Sequence, residues 1–115
     1  MKNIKKVLWL DDIRNPNNPL WKYWIESHCG VDIEIYWVSN FNEFVNYINT
    51  TLPNYICFDH DLGEDKDGMD CMKYLINYML DNNISANEIV VYSQSANPVG
   101  RDNMLMLYNN FKKAQ

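Results

Sequence analysis

The stretch "ICFDHDLGEDKDG" (residues 56–68) indicates the kind of fold, because an apolar run ends within it and is followed at once by acidic residues and glycine. A short continuous apolar run is typical of a strand that is covered on both faces of a sheet. The stretch "KVLWLDD" (residues 6–12) repeats the pattern, so that Asp11 and Asp12 follow one apolar run and Asp59 follows the other. The sequence therefore predicts two buried strands that both end in carboxylates.

Strand patterns alternate with helical patterns along the whole chain. Strands are predicted over residues 6–10, 32–38, 54–59 and 87–93, and each is followed by apolar residues at helical spacing. This order predicts one α/β domain over residues 1–115, a three-layer sandwich around a parallel sheet. The second strand alternates apolar and polar residues and is expected at an edge, which gives the sheet order 2-1-3-4. The chain then changes direction between strands 1 and 3, and ligands bind at such a point.

Composition narrows the classes of partner. A net charge of -5 without a long basic run argues against duplex nucleic acid or an anionic membrane surface as a partner. A small anionic ligand held through a metal ion is compatible with this charge. Neither a membrane span nor a signal peptide is predicted, and the three cysteines lack metal-type spacing, so we expect a cytoplasmic protein with reduced cysteines.

The acidic residues at the two strand ends predict a metal site. Any one of these aspartates could simply cap a strand or a helix. Several carboxylates held together repel one another unless a cation lies between them, and hard oxygen ligands favour Mg²⁺ or Mn²⁺ over Zn²⁺. We therefore expect Asp11, Asp12 and Asp59 to bind Mg²⁺ or Mn²⁺.

This arrangement resembles the receiver domain of bacterial two-component signalling, which has a flavodoxin-like fold. The resemblance implies that Asp11, Asp12 and Asp59 hold Mg²⁺, that Asp59 corresponds to the phosphate acceptor, and that Ser93 or Ser95 supplies the hydroxyl group at the end of strand 4. A receiver domain also has a fifth strand that carries an essential lysine. The sequence predicts a receiver-like fold that lacks the fifth βα unit, and ordinary phosphorelay is therefore not expected.

Three motifs are similar to a receiver-like family that is proposed to process cyclic phosphates. They are "LDDIRNP" (residues 10–16), "DHDLG" (residues 59–63) and "QSANPVGRDNM" (residues 94–104). The family pattern has a histidine where this chain has Gln94. The resemblance implies a phosphate ligand, such as a nucleotide or an RNA end.

Four residues are candidates for contacts with phosphate: Arg14, Ser95, Asn97 and Arg101. Arg14 could donate to phosphate oxygens or form a salt bridge with a neighbouring aspartate. Ser95 and Asn97 could bind phosphate or serve only as helix caps. The backbone amides of residues 99–101 are expected to face an anion at the start of the last helix.

His60 lies between Asp59 and Asp61, where it could donate a proton to a leaving oxygen. In an extended segment, however, its ring would point away from both neighbours and pack on the far side of the chain. The residues thus predict a metal-dependent hydrolase of cyclic or terminal phosphodiesters, in which Asp59, Asp61 and His60 are catalytic.

The alternative is a non-catalytic module that binds a nucleotide signal or a partner protein. We expect a monomer or a weak homodimer that pairs through the edge strand formed by residues 32–38.

Overall fold

The computed structural model describes residues 3–115, which form one parallel sheet with helices on both faces. The strands are Lys5–Leu10 (β1), Ile33–Val38 (β2), Tyr55–Phe58 (β3) and Val90–Ser93 (β4). The helices are Pro19–Cys29 (α1), Phe41–Thr50 (α2), Gly68–Asp81 (α3) and Pro98–Ala114 (α4). These elements confirm the α/β fold class, and no fifth strand is present within residues 3–115.

The sheet has the predicted order β2-β1-β3-β4, and all of its strand pairs are parallel. Leu10, the last residue of β1, aligns with Val38 on one side and with Phe58 on the other. The backbone N–H of Asp59 donates to the Leu10 carbonyl oxygen at 2.9 Å, which continues the ladder one residue past β3. The carboxylates that follow β1 and β3 are therefore neighbours at one edge of the sheet.

The two faces of the sheet are covered unequally. Helices α2, α3 and α4 pack on one face, where Phe44 and Phe58 are fully buried. On the other face α1 packs alone around the fully buried Trp9, whose ring centre lies 5.9 Å from that of Trp21 and 6.0 Å from that of Trp24. Ring contacts therefore supply much of the core on the α1 face.

One difference from the predicted strands has a local cause. Strand β4 begins at Val90 rather than near residue 87, because residues 86–88 form a turn of 3₁₀ helix in which the Ser85 hydroxyl accepts from the Asn87 N–H at 3.2 Å. Helix α1 begins at Pro19, directly after its N-cap Asn18.

Strand β2 lies at an edge of the sheet, as predicted, and Tyr36 is 57% exposed on its wetter face. Trp37 is 40% exposed and departs from the alternation, which places it on the opposite face. Pairing of this edge with a second copy of the chain stays a prediction. No helix within residues 3–115 combines the length and the apolar character that a membrane crossing requires.

Gly68 allows α3 to start directly against the segment that follows β3. A Cβ atom at this position would overlap the Asp59 carbonyl oxygen and would lie 2.8 Å from Met104 Sδ and 2.9 Å from His60 Cα. We expect Gly68→Ala to lower the free energy of unfolding by about 1–3 kcal/mol, because backbone must move to admit the methyl group. Denaturant titration measures this change.

Asn42→Ala is the matched control, since Asn42 is exposed and also lies in the first turn of a helix. Its free energy of unfolding should change by no more than about 0.5 kcal/mol. Equal stabilities of the two variants would contradict the close approach at Gly68.

Candidate metal and phosphate site

Asp11, Asp12 and Asp59 form a cluster of carboxylates at the carboxyl ends of β1 and β3. Each offers one oxygen atom, and these atoms all lie within 4.8 Å of one another. Asp11 is fully buried, Asp59 is 4% exposed and Asp12 is partly buried. Three hard oxygen donors at this spacing, with no sulfur or nitrogen ligand among them, fit Mg²⁺ or Mn²⁺. The structure thus brings together the three residues predicted to bind a metal.

The buried carboxylate of Asp11 is compensated by four donors. Its Oδ1 accepts from the backbone N–H groups of Ile13 at 3.0 Å and Arg14 at 2.8 Å. Its Oδ2 accepts from Arg14 Nη1 at 3.1 Å and from Gln94 Nε2 at 3.2 Å. These bonds offset the loss of hydration that a buried charge would otherwise suffer.

Arg14 connects the two strand ends. Its Nη1 lies 3.1 Å from Asp11 Oδ2 and 3.6 Å from Asp59 Oδ1. The guanidinium carbon lies 5.4 Å from the centre of the Trp21 ring, and the Arg14 carbonyl oxygen accepts from Trp9 Nε1 at 2.9 Å. Of the two expected uses of Arg14, the structure shows the salt bridge.

The pKa of Asp59 is raised from 3.8 to about 7. Burial is the largest cause, followed by repulsion from the Asp11 carboxylate, whereas the positive charge of Arg14 lowers the pKa. Asp12 raises it further through a hydrogen bond and through its charge. Without a cation among the three carboxylates, Asp59 therefore takes up a proton near neutral pH.

The carboxylates open into a crevice of about 210 Å³. Its lining residues are Asp12, Ile13, Arg14, Asp59, Asp61, Ser95 and Ala96. A larger groove of about 600 Å³ lies between β2 and α2, where Tyr36 and Tyr47 line it. The smaller crevice is the candidate functional site, because Asp12, Asp59 and Arg14 line it, whereas the larger groove contains no such cluster of carboxylates.

Ser95, rather than Ser93, presents its side chain to the crevice. The Ser93 hydroxyl donates to the Phe58 carbonyl oxygen at 2.7 Å and therefore ties β4 to β3. Ser95 is 5% exposed and lines the crevice, and its Oγ accepts from the Asn97 N–H at 3.1 Å. The structure thus separates the two serines that the sequence left as alternatives.

Asn97 is the N-cap of α4, and this role corrects the expectation of free amides at residues 99–101. Its Oδ1 accepts from the Gly100 N–H at 3.0 Å, and its carbonyl oxygen accepts from the Arg101 N–H at 2.9 Å. Two of the three amides are therefore used within the helix. The Arg101 side chain does not line the crevice, since its Nε lies 3.4 Å from Asp102 Oδ1.

His60 does not point away from both of its neighbours. Its Nδ1 lies 2.9 Å from Asp61 Oδ1 and 3.5 Å from Asn97 Nδ2, and its Nε2 lies 3.6 Å from Asp67 Oδ2. The ring also occupies the space that a Cβ on Gly100 would fill. The expectation was wrong because β3 ends at Phe58, so the alternation of an extended strand no longer applies at residue 60.

The contact between His60 and Asp61 has two consequences. The hydrogen bond to His60 is the main reason that the pKa of Asp61 is lowered. The His60 ring is not among the residues that line the crevice, whereas Asp61 is. Asp61 is therefore the member of the pair that lines the crevice.

Gln94 supports the carboxylate cluster in a way that sequence reasoning missed. It is 7% exposed, and its Nε2 donates to the Leu10 carbonyl oxygen at 3.0 Å as well as to Asp11. Its Oε1 is buried and has no hydrogen-bond partner among residues 3–115. The sequence contained a signal for this role, because Gln94 is a polar residue directly after β4, at the edge of the sheet where the carboxylates lie.

The strand order β2-β1-β3-β4 and the clustered aspartates resemble a receiver domain without its fifth strand, and comparison with solved structures agrees. The bacteriophytochrome response regulator AtBRR is 15% identical, with a TM-score of 0.60 over 96% of this chain and 78% of that chain. The phosphorylated cyanobacterial phytochrome response regulator RcpA is 20% identical, with a TM-score of 0.55 over 97% and 91% of the two chains. These likenesses show the fold.

A third solved structure is a fusion of yeast Spc42 coiled-coil residues 181–211 to another structure. It is 16% identical to this chain, with a TM-score of 0.60. The match covers 92% of this chain and 63% of the fusion. No curated protein matches the sequence. The model of the cyclic-phosphate processing receiver domain matches residues 6–110. The chain belongs to this family, as its three motifs indicated.

If Asp11, Asp12 and Asp59 form one cation site, millimolar Mg²⁺ or Mn²⁺ should raise the melting temperature by several degrees, because a ligand that binds only the folded state stabilises it by mass action. Asp12→Asn and Asp59→Asn should each abolish the rise. Asp81→Asn, which changes an exposed acid at the end of α3, should keep it. Identical melting curves with and without metal would remove the site.

The raised pKa of Asp59 predicts how stability depends on pH in the absence of metal. The folded protein holds an extra proton between the ordinary pKa of 3.8 and the shifted value of about 7, so the parent loses stability as the pH rises through this window. Asn cannot ionise. The free energy of unfolding of Asp59→Asn should therefore rise relative to that of the parent as the pH increases. Between low and high pH, the difference between the two proteins should change by at most about 4 kcal/mol.

Denaturant titrations in a chelator, at about pH 4 and about pH 8, measure this change for the parent and the variant. The difference between the parent and Asn42→Ala, which changes no ionisable group, should stay constant over the same range. A difference for Asp59→Asn that does not change with pH would show that Asp59 titrates as an ordinary carboxylate.

Proposed function

We propose that this domain binds a phosphate ester through a divalent cation and hydrolyses it. The ligand is a small cyclic or terminal phosphodiester of a nucleotide or of an RNA end. The observation that carries the proposal is that Arg14 and Ser95 line the same crevice as the carboxylates of Asp12 and Asp59. Membership of the cyclic-phosphate processing receiver family supports the choice of ligand.

The size of the crevice favours a small reacting group. At about 210 Å³ it is smaller than the roughly 300–1,000 Å³ typical of pockets that enclose a drug-sized ligand. It has room for a phosphate and part of a sugar, while a base or the rest of an RNA strand would lie outside.

Asp11, Asp12 and Asp59 hold Mg²⁺ or Mn²⁺ in this proposal. The ion would supply Lewis-acid polarisation of a phosphorus–oxygen bond and would position a water molecule. The guanidinium group of Arg14 and the hydroxyl group of Ser95 bind the non-bridging oxygens, where negative charge develops.

Asp61 accepts the proton of the attacking water, since it lines the crevice. His60, at 2.9 Å from Asp61, takes part through this carboxylate, which it orients. The proton thus passes from water to Asp61 as the water oxygen bonds to phosphorus, while His60 keeps the carboxylate directed into the crevice. The bond between phosphorus and the leaving oxygen breaks, and that oxygen takes a proton from solvent and departs as a hydroxyl group.

A second candidate function is capture of a nucleotide signal or a partner protein without turnover. Two observations favour it. The pKa of Asp61 is lowered, which makes this carboxylate a weak base, and Gln94 is engaged in bonds to Leu10 and Asp11 rather than available for proton transfer. A crevice with cation ligands and anion donors but a weak base is suited to binding.

Ser95→Ala separates the two functions. For an enzyme, loss of this donor should lower turnover of a cyclic phosphate by about 10²-fold, because the hydroxyl stabilises charge on the phosphoryl group. For a capture module, the parent turns nothing over and the variant binds phosphate about 1.5–3 kcal/mol more weakly, roughly the worth of a hydrogen bond to a charged group. Product analysis and calorimetry with a panel of cyclic phosphates in Mg²⁺ measure both quantities.

Ser27→Ala is the matched control, because this exposed serine on α1 hydrogen-bonds the Trp24 carbonyl oxygen away from the crevice. Both variants should keep the metal-dependent rise in melting temperature. A parent that neither binds nor hydrolyses any member of the panel would exclude both functions.

A further inference from the structure

Arg14 occupies a position that a bound cation would contest. Its Nη1 lies 3.1 Å from Asp11 Oδ2 and 3.6 Å from Asp59 Oδ1, and these two residues supply two of the three candidate metal ligands. A guanidinium group and a divalent ion that share two carboxylates repel each other strongly at such distances. The guanidinium group and the ion therefore cannot both keep all of their contacts with Asp11 and Asp59.

We propose that Arg14 and the divalent cation exchange at Asp11 and Asp59, and that this exchange sets the order of binding. In the cation-free protein, the guanidinium group pairs with Asp11 and lies next to Asp59. When the ion binds, it displaces the guanidinium group, which then turns to the phosphate oxygens. The cation therefore binds first and creates the site for the anion. This inference rests on the proposed function, because it assigns Arg14 to the phosphate.

The local structure lets the side chain move without disturbing the loop. The backbone N–H of Arg14 donates to Asp11 Oδ1 and its carbonyl oxygen accepts from Trp9 Nε1, so the backbone at residue 14 is held at both ends. None of these bonds involves the guanidinium group. The exchange therefore needs only rotations within one side chain.

Asp11 can also release the guanidinium group without becoming an unpaired buried charge. It keeps the two backbone donors at Oδ1 and the Gln94 Nε2 donor at Oδ2. The incoming ion replaces the one positive charge that leaves. The ring of Trp21, 5.4 Å from the guanidinium carbon, offers the side chain a second favourable contact outside the carboxylates.

Exchange makes the affinities for cation and anion interdependent. The ion raises the affinity for phosphate by freeing Arg14, and bound phosphate raises the affinity for the ion by the same factor, since such coupling is reciprocal. If Arg14 stayed on the carboxylates, the cation would not raise the affinity for phosphate through Arg14.

Arg14→Gln tests the exchange in the full chain, with Mg²⁺ alone and then with inorganic phosphate as probes. Calorimetry should show that the variant binds Mg²⁺ about tenfold more tightly than the parent or better, because a competing positive charge has been removed. In saturating Mg²⁺, the variant should bind phosphate at least about tenfold more weakly. The same substitution thus acts in opposite directions on the two ligands.

Lys113→Gln is the control for net charge, because it removes one positive charge from the last turn of α4. It should leave both affinities within about twofold of the parent, since screening weakens distant charges. Tryptophan fluorescence provides a readout independent of heat. Mg²⁺ should change the emission of the parent as the guanidinium group shifts its position relative to the Trp21 ring, and this change should be lost in Trp21→Phe and reduced in Arg14→Gln.

The outcomes separate this inference from the proposed function. Unchanged or weaker Mg²⁺ binding by Arg14→Gln overturns the exchange, even if phosphate binding falls and the proposed function stands. Tighter Mg²⁺ binding by the variant, in a protein that binds none of the cyclic phosphates, supports the exchange and overturns the proposed function. Mg²⁺ that binds neither the parent nor the variant overturns both.

Discussion

Repulsion among three carboxylates at one sheet edge is the constraint on which the rest of the site depends. The parallel register of β1 with β3 brings Asp11 and Asp59 together, and burial deprives both of water. The guanidinium group of Arg14, backbone N–H donors and the amide of Gln94 reduce this repulsion. They do not remove it, because the pKa of Asp59 is still raised. A site assembled this way is strained electrostatically when empty and is relieved by positive charge.

The fold and the clustering of the three carboxylates could be predicted because they follow from patterns along the backbone. Apolar runs identify β1 and β3, alternation places β2 at an edge, and parallel pairing then brings Asp12 close to Asp59. The side-chain partners could not be predicted in the same way. Arg14 and His60 each had several possible hydrogen-bond or salt-bridge partners of similar interaction energy. Asn97 could bind a ligand or cap its own helix. Only the packed structure decides among such alternatives, because they differ by about 1 kcal/mol or less.

The start of α4 shows how the crevice wall is positioned. The ring of His60 fits where Gly100 has no side chain, and it contacts Asn97, the N-cap of α4, and Asp67, the N-cap of α3. One imidazole therefore joins the first turns of two neighbouring helices. The crevice wall that includes Ser95 is held by this junction as well as by the sheet, so His60 affects the geometry of the site without lining it.

The carboxylates that form the cluster come from distant parts of the chain, with β2 and α2 between them. A group that bridges Asp12 and Asp59 closes the intervening segment into a ring, much as a covalent cross-link would, and disfavours disordered states in which the two ends separate. Because β1 pairs with both β2 and β3, the cross-link spans the centre of the sheet rather than one margin. A bound ion would then hold the first half of the molecule together. Binding in the crevice would therefore also increase the folding cooperativity of the domain.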